Sequence, residues 1–196
     1  MDIVFASNNQ GKVREVRAML EGSDIRIHSL ADLELHIDVV EDGHSFIENA
    51  LIKASTIAGL LKRPVLADDS GLEVDALGGA PGVYSARYGG PGLKDEERLQ
   101  LLLDEMKDVP DAKRTARFVC VMALVDPDGT NLTARGTVEG SIIHEAQGNG
   151  GFGYDPAFLP RGYQDTFGIL PAETKNRISH RSMALLKMKK LLEARG

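Results

Sequence analysis

Residues 2–22 of the chain read DIVFASNNQGKVREVRAMLEG, and this stretch decides the fold class. Its first five residues are mostly apolar and β-prone, and a polar segment separates them from Val13, Val16 and Leu20, which recur at helical spacing. Gly22 is a typical helix stop. The stretch therefore predicts a strand, a loop and a helix in that order, which is the opening of an α/β protein.

The next elements continue this alternation of strands and helices. Ile25 and Ile27 indicate a second short strand, and Ser45 with Glu48 matches a capping box at the start of a long helix. That helix is expected to end before Pro64, because the residue before a proline disfavours helical geometry. A buried strand should follow over 65–67 and stop at the polar residues 68–71.

The second half of the chain predicts a glycine-rich segment, two helices and a hairpin. Residues 71–92 suggest extended structure with loops, and 99–106 have the spacing of a helix. Residues 116–125 are apolar on both alternating faces, which predicts a central strand. A turn at 126–129 should connect this strand to the returning strand of a hairpin at 132–143. A last helix starts at Arg181. Its expected inward-facing residues are Leu185, Met188, Leu191 and Leu192.

Composition excludes several classes of protein. The chain has 196 residues, 42% hydrophobic and 27% charged, so we expect one globular domain over 1–196, two-lobed at most. The longest apolar run, 118–125, is far shorter than a membrane span, and no secretory signal is expected. A net charge of −6 without a basic tract argues against a nucleic-acid partner. The single cysteine, Cys120, is typical of a reduced compartment, so we expect a cytoplasmic protein.

The loop SNNQGK at 7–12 has two interpretations. A strand that runs through a small polar loop into a helix presents backbone N–H groups and the positive end of the helix dipole, which suits a polyphosphate with Lys12 as an added cation. The alternative is an ordinary turn in which serine and asparagine cap the helix. The loop matches neither the P-loop nor the dinucleotide pattern, so the residues alone favour the ordinary turn.

Acidic residues form a second candidate group. Asp68 and Asp69 follow a buried strand, and their side chains should point to opposite faces of the sheet. Mg²⁺ prefers one or two carboxylates plus water and phosphate oxygens, so one of them with a distant acid such as Glu41 suffices. For Asp68 and Asp69, a solvated turn with aspartate as a cap is an equally good explanation. For Glu41 alone, stabilisation of the helix dipole is the favoured explanation. Lys53 lies near the edge of a helical apolar stripe, where a cation could reach into a cleft, but extension to solvent is the commoner explanation.

Two later segments carry candidate base contacts. Phe152–Asp155 follows a glycine run and carries aromatic rings. A ring there could stack on a nucleobase, and such stacking contributes ~1–3 kcal/mol to binding. The alternative is that the rings anchor the loop to the core. Residues 175–181 gather cations and hydrogen-bond donors, which suit a purine carbonyl oxygen or simply a capped helix with a solvated face.

Five segments in order resemble one family, the inosine/xanthosine triphosphate pyrophosphatases. They are SNNQGK at 7–12, FIENALIKA at 46–54 after the acid Glu41, LADDSGLEVDALGGAPGVYSARY at 66–88, GGFGYDP at 150–156 and ISHR at 178–181. The resemblance covers nearly the whole chain. The third and fourth segments are its most specific parts, and residues 160–173 match least.

The resemblance implies a two-lobed α/β fold with a long, mixed, twisted sheet flanked by helices and a cleft between the lobes. It also implies a Mg²⁺ cofactor, a homodimer, and hydrolysis of ITP, dITP and XTP to the monophosphate and pyrophosphate. Carried over by position, the triphosphate contacts are Ser7, Asn8, Asn9, Gln10, Gly11 and Lys12. Glu41 and Asp69 would hold the metal, Asp69 would accept a proton, and Ser70 would touch the substrate. The base and sugar contacts would be Phe152, Gly153, Tyr154, Asp155, Lys175, His180 and Arg181.

Two other functions stay open at this point. One is a pyrophosphatase of similar fold that acts on modified pyrimidine or m7G nucleotides. The other is a non-catalytic nucleotide sensor, against which the presence of Asp69 argues. Donors aimed at the 6-oxo group would explain rejection of ATP, because a buried donor facing the amino group of adenine stays unpaired, at ~1–3 kcal/mol. They do not explain rejection of GTP.

Overall fold

The computed structural model describes residues 1–195, which form a six-stranded sheet with helices beside it. The strands are β1 (Asp2–Phe5), β2 (Arg26–Ser29), β3 (Val65–Val74), β4 (Thr115–Val125), β5 (Asn131–Ile142) and β6 (Phe158–Pro160). The helices are α1 (Gln10–Leu20), α2 (Phe46–Leu61), α3 (Asp95–Glu105), α4 (Ala172–Ile178) and α5 (His180–Glu193). Within the described residues, no helix is long and apolar enough to cross a membrane.

The strand order in the sheet is β2-β1-β3-β4-β5-β6. Strand β1 runs parallel to β2, with Ile3 opposite Ile27, and parallel to β3, with Phe5 opposite Leu66. Strand β5 runs antiparallel to β6. The sheet is therefore mixed, and the predicted α/β class is confirmed. Strand β4 lies between β3 and β5 and is buried over nearly its whole length, as the apolar run predicted.

The chain divides into two compact units. The first comprises Met1–Asp69, Cys120–Gly136 and the residues from His180 onward, and the second comprises Ser70–Val119 and Thr137–Ser179. In the first unit, α1 and α5 contribute Val13, Val16, Ala184 and Met188 to a core with strand residues such as Phe5. The core of the second unit contains three clustered rings, with Phe158 4.7 Å from Phe118 and 5.4 Å from Phe167 between centroids.

The prediction that a strand stops at Ala67 is wrong, because β3 continues through Asp68–Gly71 to Val74. Carboxylates usually mark a strand end because they need solvent. Here Asp68 and Asp69 are 1% and 7% exposed. Lys12 and Asn49 supply polar partners for the two acids, so the strand can continue through them.

One prediction about the C-terminal region also needs correction, and one helix of that region was not predicted. Leu191 is exposed, whereas Leu185 and Met188 are buried and Leu192 packs partly against the core. Positions 185, 188 and 192 follow one helical face, and position 191 lies beside it. Helix α4 was not predicted, because its sequence AETKNRI has too few apolar residues to show a period.

The caps of α2 largely follow the prediction. Ser45 is the N-cap, and its hydroxyl accepts a hydrogen bond from the Glu48 N–H at 3.3 Å. The reciprocal half of the box differs, since the Glu48 carboxylate accepts from the N–H of His44 at 2.7 Å and not from that of Ser45. The helix ends at Leu61 with Lys62 in the left-handed region, ahead of Pro64 as expected.

Candidate active site

The loop at 7–12 is a strand-to-helix connection held by its own side chains. The Asn9 side chain caps α1 and accepts hydrogen bonds from the N–H groups of Gly11 at 2.9 Å and Lys12 at 3.2 Å. The Ser7 hydroxyl accepts from the Asn9 N–H, and the Asn8 amide donates to Asp38. Those N–H groups are therefore already hydrogen-bonded. The binding of an anion at the N-terminus of α1 would depend on the helix dipole and on Lys12.

Asp68 and Asp69 point to opposite sides of β3, as the strand geometry predicted. The Asp68 carboxylate lies on the side of α1 and α5, where its Oδ2 is 2.9 Å from Lys12 Nζ. The Asp69 carboxylate lies on the side of α2, where its Oδ2 accepts a hydrogen bond from Asn49 Nδ2 at 3.1 Å. Both acids lie just beyond the registered pairing of β1 with β3, which ends at Leu66. This is the carboxyl end of parallel strands, where α/β proteins place ligands.

The charge on Asp69 is disfavoured by its surroundings. Burial raises the pKa of the Asp69 carboxyl to about 6, and the nearby Glu41 charge acts in the same direction. The Lys53 ammonium and the Asn49 hydrogen bond oppose this rise in the pKa. Asp69 is therefore ionised at neutral pH with a proton affinity well above that of an ordinary aspartate, which suits a proton acceptor.

Lys53 faces inward and does not extend to solvent. Its Nζ donates to the main-chain oxygen of Asp68 at 2.8 Å and lies 3.1 Å from Glu41 Oε1. Glu41 belongs to an irregular segment ahead of α2, so Lys53 attaches that segment to β3. Asn49 was not a sequence candidate. Its signal was available, because Asn49 and Lys53 are polar residues four apart within the apolar stripe of α2.

The donors at this site fit a magnesium ion better than a metal enclosed by protein ligands. Among the described residues, no group of three or more His, Cys, Asp and Glu side chains could hold a metal. Glu41 and Asp69 are close enough for the charge of one to raise the pKa of the other. Two carboxylates with remaining positions for water and phosphate oxygens are the usual set for Mg²⁺.

His180 and Arg181 begin α5 in the first unit, and both are buried. The Arg181 guanidinium forms an ion pair with Glu15 of α1, and its Nε lies 3.5 Å from Asp68 Oδ2. Burial acts to lower the pKa of Arg181, but the two carboxylates outweigh it and hold the pKa above its usual value. Arg181 is thus a permanent cation fixed between α1, β3 and α5.

The second unit holds the aromatic loop and Lys175. The Lys175 ammonium is buried, donates to Asp155 Oδ2 at 2.6 Å and lies 4.7 Å from the centre of the Phe152 ring. Asp155 also accepts from the Phe152 N–H at 2.8 Å, and the Tyr154 hydroxyl donates to the Ser85 main-chain oxygen. Phe152 is half-buried, while Tyr154 and Asp155 make internal contacts that fix the loop.

The structure thus places the candidates in two sets. The first unit holds 7–12, Glu41, Asp69, His180 and Arg181, and the second holds Ser70, 152–155 and Lys175. Sequence reasoning missed three contributors in the first unit, namely Asn49, Glu15 and the partnership of Asp68 with Lys12 and Arg181. The roles of the candidates toward a ligand stay predictions.

This fold and site define an α/β protein with paired carboxylates and lysines where its parallel strands end. A sequence profile of the Ham1 family matches residues 3–191, and the chain belongs to that family. It is 50% identical over 187 residues to the dITP/XTP pyrophosphatase of Cutibacterium acnes, covering 93% of this chain and 92% of that one. It is 44% identical to the dITP/XTP pyrophosphatase of Bacillus subtilis over 98% of both chains. The solved structure of a HAM1 protein from Coxiella burnetii matches with a TM-score of 0.89 and 39% identity over 99% of each chain.

Proposed function

We propose that this chain is a nucleoside-triphosphate pyrophosphatase that hydrolyses ITP, dITP and XTP to the monophosphate and pyrophosphate, and so removes deaminated purine nucleotides. The names of relatives that match almost end to end support the substrate class. The geometric observation that carries the proposal is the burial of the Asp69 side chain. A buried carboxylate with a pKa of about 6, beside lysines at a ligand-binding edge of the sheet, is suited to general-base chemistry on an anionic substrate.

In this mechanism Asp69 orients a water molecule and accepts its proton as the water attacks the α-phosphorus. The bond between the α-phosphorus and the bridging oxygen to the β-phosphorus breaks, and pyrophosphate leaves intact. The hydrogen bond from Asn49 fixes the orientation of the Asp69 carboxylate. Holding the base in one position lowers the entropic part of the barrier.

Lysine side chains and the start of α1 bind the triphosphate. Lys12 lies on the first turn of α1, so its ammonium and the helix dipole attract phosphate oxygens together. Ser7, Asn8, Asn9, Gln10 and Gly11 complete this proposed contact set. Lys53 stabilises the ionised form of Asp69 and holds Glu41 in place.

Glu41 and Asp69 would hold Mg²⁺, the cofactor that we propose. When bound, the ion would neutralise charge that develops on the phosphate oxygens during hydrolysis. The donor set described above supports this assignment, since two carboxylates leave positions for substrate oxygens and water.

The base contacts are proposed from the resemblance. Phe152 would stack on the base, and Lys175, His180 and Arg181 would supply donors. Tyr154 and Asp155 fix the loop that carries Phe152 and Gly153, and Ser70 is the next residue of β3 after Asp69. We also propose a homodimer, supported by the same resemblance, and a cytoplasmic location, supported by the single cysteine. Light scattering on the purified protein would give the dimer mass, and cell fractionation would test the compartment.

A substrate panel with product identification tests the function. ITP, dITP, XTP, GTP, ATP, a modified pyrimidine triphosphate and m7GTP are compared with Mg²⁺ and with excess chelator. We expect preferential, Mg²⁺-dependent release of pyrophosphate from ITP, dITP and XTP. In H₂¹⁸O the label should enter the monophosphate only. Label in pyrophosphate, release of two separate phosphates, or preference for another substrate would contradict the proposal.

A further inference from the structure

Four charged side chains of the first unit form one connected group, here called the Asp68 network: Lys12, Glu15, Asp68 and Arg181. The same oxygen of Asp68, Oδ2, is 2.9 Å from Lys12 Nζ and 3.5 Å from Arg181 Nε. Glu15 contacts Arg181. Two cations therefore share one carboxylate oxygen.

Burial makes this sharing energetically important. The side chains of Asp68 and Arg181 are each 1% exposed, and those of Glu15 and Lys12 are 13% and 16% exposed. Water therefore screens these charges poorly, and each cation depends on the carboxylates that it contacts. The formal charges of the network sum to zero, so the loss or movement of one member changes the forces on the others.

We propose that Asp68 is a positioning residue that couples Lys12 to Arg181, so that the phosphate contact and the base contact are energetically linked. This inference rests on the proposed function, which gives Lys12 to the triphosphate and Arg181 to the base. While Arg181 shares the Asp68 oxygen, Lys12 is held less strongly and is available to a phosphate. When Arg181 is removed, the attraction of Asp68 for Lys12 is no longer shared with this second cation, so Asp68 competes more strongly with the phosphate.

A ligand without a base isolates this effect. Inorganic tripolyphosphate offers phosphate oxygens to Lys12 and nothing for a base contact to recognise. If the two contacts were independent, Arg181→Ala would not change tripolyphosphate affinity. The coupling predicts that Arg181→Ala weakens it, on the order of fivefold, the usual scale for residues of one ion-pair network. Glu15→Gln should act in the opposite direction, because Arg181 then loses one carboxylate, interacts more strongly with Asp68, and so weakens the attraction of Asp68 for Lys12.

The experiment is isothermal titration of tripolyphosphate with Mg²⁺ into the full chain, with folding checked by circular dichroism. Arg14→Ala is the matched control, because it removes an exposed positive charge from α1 and so reports the long-range effect of charge alone. Arg181→Lys keeps a cation beside Asp68 and should restore most of the affinity. In an Asp68→Asn background, the effects of Arg181→Ala and Glu15→Gln should both fall to within about twofold of no change.

Three results would overturn the coupling. They are an unchanged affinity in both Arg181→Ala and Glu15→Gln, an effect of Arg14→Ala as large as that of Arg181→Ala, and effects that persist in the Asp68→Asn background. Should Arg181→Ala not fold, the Glu15→Gln comparison with and without Asp68→Asn decides alone. Failure of the proposed function is a separate result, since the wild-type protein would then release no pyrophosphate from ITP.

Discussion

Asp69 is a buried carboxylate whose ionised form is disfavoured by its surroundings. Burial and the neighbouring Glu41 raise its pKa to about 6, against the opposing effects of Lys53 and Asn49. The same property has two consequences. It makes Asp69 a better proton acceptor at neutral pH, and it makes the ion-free protein less stable than it would be with a neutral side chain at this position.

The catalytic consequence is tested by Asp69→Asn. We expect kcat for ITP to fall by at least ~10²-fold, because the amide can neither accept the proton nor carry the charge beside the metal. The amide is nearly isosteric, so the fold should be unchanged by circular dichroism. Asp108→Asn, a change of an exposed aspartate in the turn after α3, is the control and should keep normal turnover. Near-normal turnover of a folded Asp69→Asn protein would remove Asp69 from the mechanism.

The stability consequence has a defined pH window. The folded pKa of about 6 lies above the ordinary aspartate value of 3.8, so between these values the folded state binds more protons than the unfolded state. The contribution of Asp69 to the unfolding free energy should therefore fall as pH rises from about 4 to 6, by roughly 2–3 kcal/mol in all, and stay low above that.

Chelator-treated protein makes this measurable by thermal unfolding. Relative to wild type, Asp69→Asn should gain stability as pH rises through this window and should melt higher at pH 7.5. Added Mg²⁺ should raise the Tm of wild type more at pH 7.5 than at pH 5, because the ligand must be deprotonated. A difference between the two proteins that does not change with pH would contradict the raised pKa.

At the scale of elements, α2 carries two polar side chains, Asn49 and Lys53, that contact strand β3. Asn49 and Lys53 are four residues apart, so they lie one above the other on the face that also buries Phe46 and Ala54. From that face Asn49 reaches the Asp69 side chain, and Lys53 reaches the Asp68 main-chain oxygen and Glu41. The apolar residues of the stripe fix the helix against the core, and so fix the two polar groups.

Lys53→Met tests the electrostatic effect of Lys53 on Asp69. The change keeps the length of the aliphatic chain and removes the cation that lowers the Asp69 pKa, so the acidic limb of the kcat/KM–pH profile should move to higher pH. At pH 7, kcat/KM should fall on the order of tenfold, the scale of one charged hydrogen bond. Lys53→Arg should retain more activity, and Lys107→Met, at an exposed position, should behave as wild type. An unmoved acidic limb in Lys53→Met would contradict this electrostatic role.

At the scale of the whole molecule, the start of α5 is placed by contact with a distant strand. A Cβ on Gly136 of β5 would lie 2.1 Å from the main-chain oxygen of His180 and 2.4 Å from the N of Ala184. These are backbone atoms, so a side chain at position 136 would push the helix away. The absence of a side chain on Gly136 thus allows α5 to approach β5, and it sets the position of His180 and Arg181.

A pair of glycine substitutions tests this approach. Gly136→Ala should lower the unfolding free energy by ~1–3 kcal/mol or more, and should also weaken kcat/KM for ITP because His180 and Arg181 shift. Gly59→Ala on the exposed face of α2 meets no atom within 4 Å and should stabilise by ~0.5–1 kcal/mol with unchanged activity. For a chain of this size 1 kcal/mol is about 2–4 °C in Tm. Equal Tm shifts in the two variants would show that the contact at Gly136 has no special importance.

The sequence by itself determined the elements whose signals are local. The period of apolar residues in α1, the serine cap of α2 and the turn between β4 and β5 all depend on neighbours within a few positions. Their interaction energies are nearly complete within one segment, so the pattern predicts them directly. The carboxylate–lysine site was also predictable in part, because alternation along β3 places Asp68 and Asp69 on opposite faces.

Only the tertiary structure decided which of these side chains became partners. In the folded chain, β3 continues through Asp68 and Asp69, and Lys53 points inward. Arg181 lies between Glu15 and Asp68. Each outcome depends on a counter-charge or donor from an element far away in the chain, such as Lys12 for Asp68. A buried charge is stable only beside its partner, and one-dimensional patterns do not give the distance between residues that meet by folding.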